Sequence, residues 1–286
     1  LNKSILFKIK IHPLFWILAA ISIITAQFKV LSITFIIIFI HELGHVIAME
    51  YFSWRVTKID ILPFGGVAVT EEFDNKPLRE ELIVTLAGPL MNLLFAVLLF
   101  ILGFINGFNI ENIKIFQHIN LTLLCVNLLP IHPLDGGRII SLIYQAFFPY
   151  YKTFKLITIS SLTVLLLLSI YLIIDDLSNA GNLIVLCYLM FILIFNWKNR
   201  AYIFIRYLTN RHNSFEVNFK EVSIINTKFN NTILNVLKKF YKYKKHLISV
   251  NYDGKQYIID ENELLHNYLF EDNPIKDISE LKTFNK

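Results

Sequence analysis

Six stretches of the chain run apolar, at residues 12–26, 30–51, 81–105, 115–134, 154–174 and 183–205, and between them charged and turn residues return. A helix needs about 20 mostly apolar residues to cross the ~30 Å hydrocarbon core of a bilayer, so the runs predict six transmembrane helices. The first is short, and the second carries polar side chains. Lys8, Lys10 and Pro13 flank the first run as in a cleaved signal peptide, but no small-x-small site leads into a soluble stretch after it; another apolar run begins at once. Between the second and third runs, RVTKIDILPFGGVAVTEE alternates apolar and polar residues around Pro63, Gly65 and Gly66, which predicts a hairpin or re-entrant segment at the cytoplasmic face.

Beyond Ile205 apolar density falls and charge rises. Residues 207–212 are the expected boundary, dividing a membrane domain at 1–206 from a cytosolic domain at 213–286. In the tail, residues 222–226 read as a strand, 231–241 as an amphipathic helix, 246–252 and 256–260 as strands joined at Asp253-Gly254, and 261–270 as a helix. The expected fold class is thus an all-α polytopic membrane protein with a small α+β domain at its C-terminal end.

Composition agrees, since 55% of residues are hydrophobic and only 17% charged. Cytoplasmic loops hold an excess of Lys and Arg, and a cytoplasmic N-terminus places Lys3, Lys8, Lys10, Arg55, Lys58, Lys76, Arg79, Arg138, Lys152, Lys155, Lys198, Arg200, Arg206 and Arg211 on that side. Only Lys29 and Lys114 fall outside, so both termini are expected in the cytoplasm. The net charge of +5 then reflects topology and attraction to anionic lipid, not a direct nucleic-acid partner. The stretch 238–245, KKFYKYKK, reads as a solvated helix end, and Cys125 and Cys187, both within apolar runs, as small hydrophobes.

HELGH, residues 41–45, interrupts the second run. Residues four apart share a helix face, so His41 and His45 can offer two imidazoles to one Zn²⁺, and Glu42 can take a proton from water whose acidity the metal raises. A bare H-E-x-x-H occurs by chance in soluble proteins. At membrane depth such groups are expensive unless they serve a site. A catalytic zinc takes three protein ligands, and the third candidate is Asp135 in NLLPIHPLDGGR, where Pro130, Pro133, Gly136 and Gly137 bend the chain. A zinc transporter would spread such ligands over several helices along a path, and an inactive membrane scaffold would not need Glu42.

The HELGH motif, the LDGG segment on a later run and AGPLMN at residues 87–92 together resemble the site-2 protease family of intramembrane metalloproteases. The resemblance implies His41, His45 and Asp135 as ligands of one zinc per chain and Glu42 as catalytic base. Asn127 opens the N-x-x-P-x-x-P-L-D-G-G segment. It is a candidate to hold substrate or an oxyanion, or else bonds a carbonyl freed by proline. His132 is a neighbour of the site. Gly65 and Gly66 belong to a segment whose edge either pairs with an unwound substrate strand or is an ordinary surface loop.

The tail order, with HLISVNYDGKQYIIDENELL at its centre, resembles one repeat of a CBS module, which implies binding of ATP or another nucleotide and a homo-oligomer formed through paired tails. Six spans with such a tail are most similar to the sporulation-factor branch of the family. That resemblance implies a pro-sigma factor (pro-sigma-K) as substrate, small membrane inhibitor or scaffold proteins as partners, and residence in the mother-cell membrane around the forespore.

Overall fold

The computed structural model describes residues 9–11, 19–20, 22–54, 56–62, 65–70, 76–105, 109–175, 180–213, 221–252, 255–270 and 277–280. They form two compact units, one of residues 1–130 with 134–139 and the other of 131–133 with 140–286.

In the first unit two long helices dominate, α1 (Phe28–Tyr51) and α2 (Leu78–Leu102), with mean hydropathy of 2.0 and 2.3. At 1.5 Å per residue each spans more than the ~30 Å hydrocarbon core. Their polarity is inverted relative to a soluble protein. Leu90, Leu93, Val97 and Ile101 face outward, while His41, Glu42, His45, Glu81, Thr85 and Asn92 are buried. In lipid the outer face needs no polar cover, and polar groups survive where other helices enclose them. Two glycines allow close approach. A Cβ on Gly44 would strike the main chain of Ala87, and one on Gly88 would strike the rings of His45 and His41. Trp54, just past α1, is buried with Val46, Met49 and Val84, and its Nε1–H donates to Glu80 Oε2 at 2.9 Å.

Helix α3 (Ile110–Asn127) starts where the Asn109 side chain accepts from the main-chain N–H of Glu111 and Asn112. It stops before Pro130, whose ring and missing N–H cannot continue it. The expected run at 115–134 is therefore an 18-residue helix followed by a bent connection. Helix α4 (Asp135–Phe147) begins at Asp135 itself. A Cβ on Gly136 would overlap the carbonyls of Leu128 and Leu129, so the bend folds back against the start of α4 only because that residue is glycine.

The membrane unit is not all helical. Strand β1 (Ile9–Ile11) pairs in parallel with β2 (Val56–Leu62), and β2 pairs antiparallel with β3 (Gly65–Thr70). The hairpin predicted by the alternation of 55–72 is present. The added strand comes from the segment ahead of the first apolar run, a long-range pairing that local pattern does not carry.

The second unit holds α5 (Tyr150–Asp175), α6 (Ala180–Lys198) and α7 (Arg200–Asn213). Three described helices are long and apolar enough to cross a membrane: Phe28–Tyr51, Leu78–Leu102 and Tyr150–Leu172. The run at 183–205 divides at Asn199 into α6 and α7, leaving a shorter apolar helix at Val185–Lys198. The first run lies mostly outside the described residues. Charge and amides at Glu111, Lys114, Gln117 and Asn120 keep α3 below membrane hydropathy.

The tail follows the expected β-α-β-β-α order: β4 (Val222–Lys228), α8 (Ile233–Leu237), β5 (Lys245–Tyr252), β6 (Lys255–Asp260) and α9 (Glu261–Leu269). Strand β5 is central, parallel to β4 and antiparallel to β6. The helix expected over 231–241 is only five residues long. Beyond it the chain tightens, Lys239 and Phe240 donating to the carbonyls of Val236 and Leu237, and the Tyr241 N–H goes to His246 Nε2 at 3.0 Å instead of to a helical carbonyl. Residues 207–212 lie inside α7. Phe204, Tyr207 and Leu208 join Val236, Leu237, Ile248, Val250 and Leu264 in one buried core, and Tyr207 stacks on Tyr150 at 3.8 Å.

Candidate metal centre

Helix α1 delivers the two imidazoles as its period dictates. His41 and His45 project from one face, their Nε2 atoms 3.2 Å apart and their ring planes at 82°. Each ring is held differently. His45 Nδ1 lies 2.8 Å from the Val84 carbonyl on α2, and a carbonyl only accepts, so the ring proton sits on Nδ1 and Nε2 keeps its lone pair. His41 Nδ1 is buried with no hydrogen-bond partner among the described residues.

Asp135, at the first turn of α4, completes a triangle. Its Oδ2 is 3.0 Å from His41 Nε2 and 3.5 Å from His45 Nε2. Tetrahedral Zn²⁺ with bonds of about 2.0–2.1 Å sets its ligand atoms about 3.3 Å apart, and the three observed separations bracket that edge. The donor set, two neutral imidazoles and a carboxylate, also suits zinc. Gly88 matters because any side chain there would occupy the space taken by both rings. Glu42 is buried beside the pair, and one ligating atom from each of His41, Glu42 and His45 falls within 4.8 Å of the others. The residues present fit a zinc ion.

The other residues singled out by sequence are placed as follows. Asn127 is the last residue of α3. Gly65 and Gly66 open β3, opposite Leu62 and Ile61. His132 belongs to the second unit, where its main-chain N–H donates to Ser161 Oγ at 3.0 Å and its ring accepts from Asn196 Nδ2 at 3.1 Å. The Val84 carbonyl escapes sequence reasoning because a main-chain atom leaves no signature. The small and polar positions 81, 85, 88 and 92 of α2, spaced at three and four, do leave one: a buried stripe in which Gly88 abuts the histidines.

A buried histidine pair and carboxylate on apolar helices define a membrane-embedded metallohydrolase. The family model of Peptidase family M50 matches residues 29–117 and 109–170. The chain is 32% identical over 271 residues to Stage IV sporulation protein FB of Bacillus subtilis (strain 168), covering 94% of both chains. It is 33% identical over 132 residues to a zinc metalloprotease of Methanocaldococcus jannaschii, covering 44% of this chain and 38% of that one. Among solved structures it resembles the site-2 protease from Methanocaldococcus jannaschii, with a TM-score of 0.51 and 28% identity over 64% of this chain and 87% of that one. The chain belongs to peptidase family M50, the site-2 proteases, and is a zinc metalloendopeptidase integral to the membrane.

Proposed function

We propose that His41, His45 and Asp135 hold one zinc ion and that Glu42 is the general base of an intramembrane peptide hydrolysis. The observation that carries this reading is the convergence of three lone-pair atoms within 3.0–3.5 Å at a place enclosed by apolar helices. When bound, zinc supplies Lewis-acid polarisation of the scissile carbonyl and lowers the pKa of water. Glu42 takes the proton of the attacking water and passes it to the leaving nitrogen, which must depart as an amine. The Val84 carbonyl keeps the His45 ring in the ligating tautomer. Asn127 supplies a donor for the developing oxyanion. Strand β3, from Gly65, is the edge of its sheet, and an unwound substrate strand adds there, its main chain held while the scissile bond reaches Glu42.

The substrate in this proposal is the precursor segment of a membrane-tethered sigma factor, pro-sigma-K in kind. It is supported by the 94% coverage of a relative named for sporulation. The site is then mother-cell membrane around the forespore, with small membrane proteins as inhibitors. Six crossings with both termini cytoplasmic fit the distribution of Lys and Arg. They also fit the 2.7 Å bond from Lys29 Nζ to Asn112 Oδ1, which joins two segments assigned to the outer side. The tail is the regulatory domain at 213–286, CBS-like in strand order, where a nucleotide and a second copy of the chain would act.

Co-expression with a tethered pro-sigma substrate tests the reading. The parent chain shortens the substrate on a gel; Glu42→Gln retains zinc and loses cleavage by about 10²–10⁴-fold. Equal cleavage by both would remove Glu42 from the mechanism. Gly65→Val or Gly66→Val retains zinc and cleaves less; unchanged cleavage would end the strand-addition idea.

A further inference from the structure

Two asparagines buried between α2 and α3 take no part in the centre described above. Asn92 on α2 and Asn120 on α3 are both fully buried, and Asn120 Nδ2 donates to the main-chain oxygen of Asn92 at 2.8 Å. Three further atoms of the pair, Asn92 Nδ2, Asn92 Oδ1 and Asn120 Oδ1, are buried without a hydrogen-bond partner among the described residues. Gln117 Oε1, one turn back from Asn120 on α3, is in the same condition. Neighbouring helices in membranes are expected to satisfy such groups, because bulk water does not reach them there.

The pattern of these atoms identifies what they would take. One unpaired amide donor stands with three acceptor oxygens. A bare cation would leave the donor unmet, and an anion would meet three oxygens. Water both gives and receives hydrogen bonds, and when buried typically makes about three of them. Asn92 also lies four residues beyond Gly88, the residue that abuts both histidine rings, on the same face of α2 and about 6 Å along its axis.

We propose that Asn92 and Asn120 form a hydration site that holds ordered water within the bilayer, one helical turn beyond the histidine pair. Its use, as a store beside a centre that consumes water at each turnover, rests on the hydrolytic reading; its existence does not.

The test is radiolytic hydroxyl labelling in ¹⁸O-water of the full chain in lipid nanodiscs, with zinc content and cleavage of the tethered pro-sigma substrate measured on the same samples. Phe95 and Phe116 are the reporters. They face each other across α2 and α3 with centroids 6.4 Å apart, each three or four residues from an asparagine of the pair. The expected result is ¹⁸O incorporation at these rings several-fold above that at lipid-facing Phe100, falling several-fold in Asn92→Leu and Asn120→Leu and kept in Asn92→Ser. Labelling of Phe95 and Phe116 no higher than that of Phe100 would overturn the proposal, as would labelling unchanged by both leucine variants. A misfolded variant reveals itself by raised labelling along the whole of α2, and Asn92→Ser then decides. Loss of zinc or of cleavage with the labelling pattern intact would count against the hydrolytic reading and leave the hydration site standing.

Discussion

Two buried clusters in this chain use nearly the same chemical groups and do opposite things with them. In the first unit His41, His45 and Asp135 aim lone pairs at one another, and His41 Nδ1 and Asp135 Oδ2 have no hydrogen bond among the described residues. In the second, Arg211, His246 and Glu261 are bonded nearly to capacity. His246 Nε2 accepts from the Tyr241 N–H at 3.0 Å, so its Nδ1–H donates to Glu261 Oε2, also at 3.0 Å. Glu261 receives the Arg211 guanidinium at 2.9 Å and the His246 main-chain N–H at 2.8 Å. Burial and the Arg211 charge hold the His246 imidazole below its ordinary pKa, against the pull of Glu261. Burial raises the Glu261 carboxyl, but the bonds from His246 and Arg211 outweigh it and the pKa is lowered. Composition does not separate a site from a strut. What separates them is whether the polar atoms are spent on each other or held toward something else.

The comparison breaks most visibly at the metal centre. Asp135→Ala should leave α1 and α2 folded and remove zinc, with cleavage lost by more than about 100-fold, beyond the ~10–100-fold that losing a supporting contact costs; metal content by mass spectrometry checks it. The strut fails in a different currency. Glu261→Ala leaves Arg211 charged and buried, so the tail should lose about 3–5 kcal/mol and exchange its β5 amides rapidly, while zinc stays bound. Adding Arg211→Met should recover part of that loss, because apolar replacement of a buried pair is far cheaper than halving it. No second change rescues Asp135→Ala in the same way.

Two smaller effects sharpen the contrast. Gly88→Ala pushes a methyl into the histidine rings and should lower zinc affinity by about 10–100-fold without unfolding the helices, read by competition with a chelator. For the tail, both depressed pKa values act in one direction. An unfolded histidine or glutamate takes up its proton at a higher pH than His246 or Glu261 does in the fold, so over those windows the unfolded chain binds more protons and stability falls with acid. The tail should lose stability on going from pH 7.5 to 5.5, and His246→Gln should reduce that loss; amide exchange of β5 at the two pH values measures it.

The sequence makes the centre legible for a physical reason. Its two histidines obey the helix period, and its carboxylate follows two prolines that the helix cannot absorb, so both features survive without knowledge of the fold. The tail strands are equally plain, since β-branched residues alternate between turn signals. The break at Asn199 falls among Asn196, Lys198 and Arg200, but apolar residues resume at 201–205, and only the fold shows that Phe204 enters the tail core. The shortening of α8 is hidden too. The Tyr241 N–H goes to the ring of His246, a pairing that the helical pattern of 231–241 does not carry. Strand β1 pairs with residues some 50 positions later, and the tautomer of His45 is set by a main-chain oxygen, neither of which a local pattern can announce.

Helix α7 has one further consequence for anyone who wants to study the C-terminal tail alone. Tyr150, Phe204, Tyr207 and Leu208 supply part of the hydrophobic interior around β5, and Arg211 supplies its ionic centre. A fragment cut at residue 213 would begin life with an open wall and an orphaned Glu261. A soluble piece of the tail has to start near Arg200 and carry a substitute for Tyr150, because α7 and the tail strands share one hydrophobic interior.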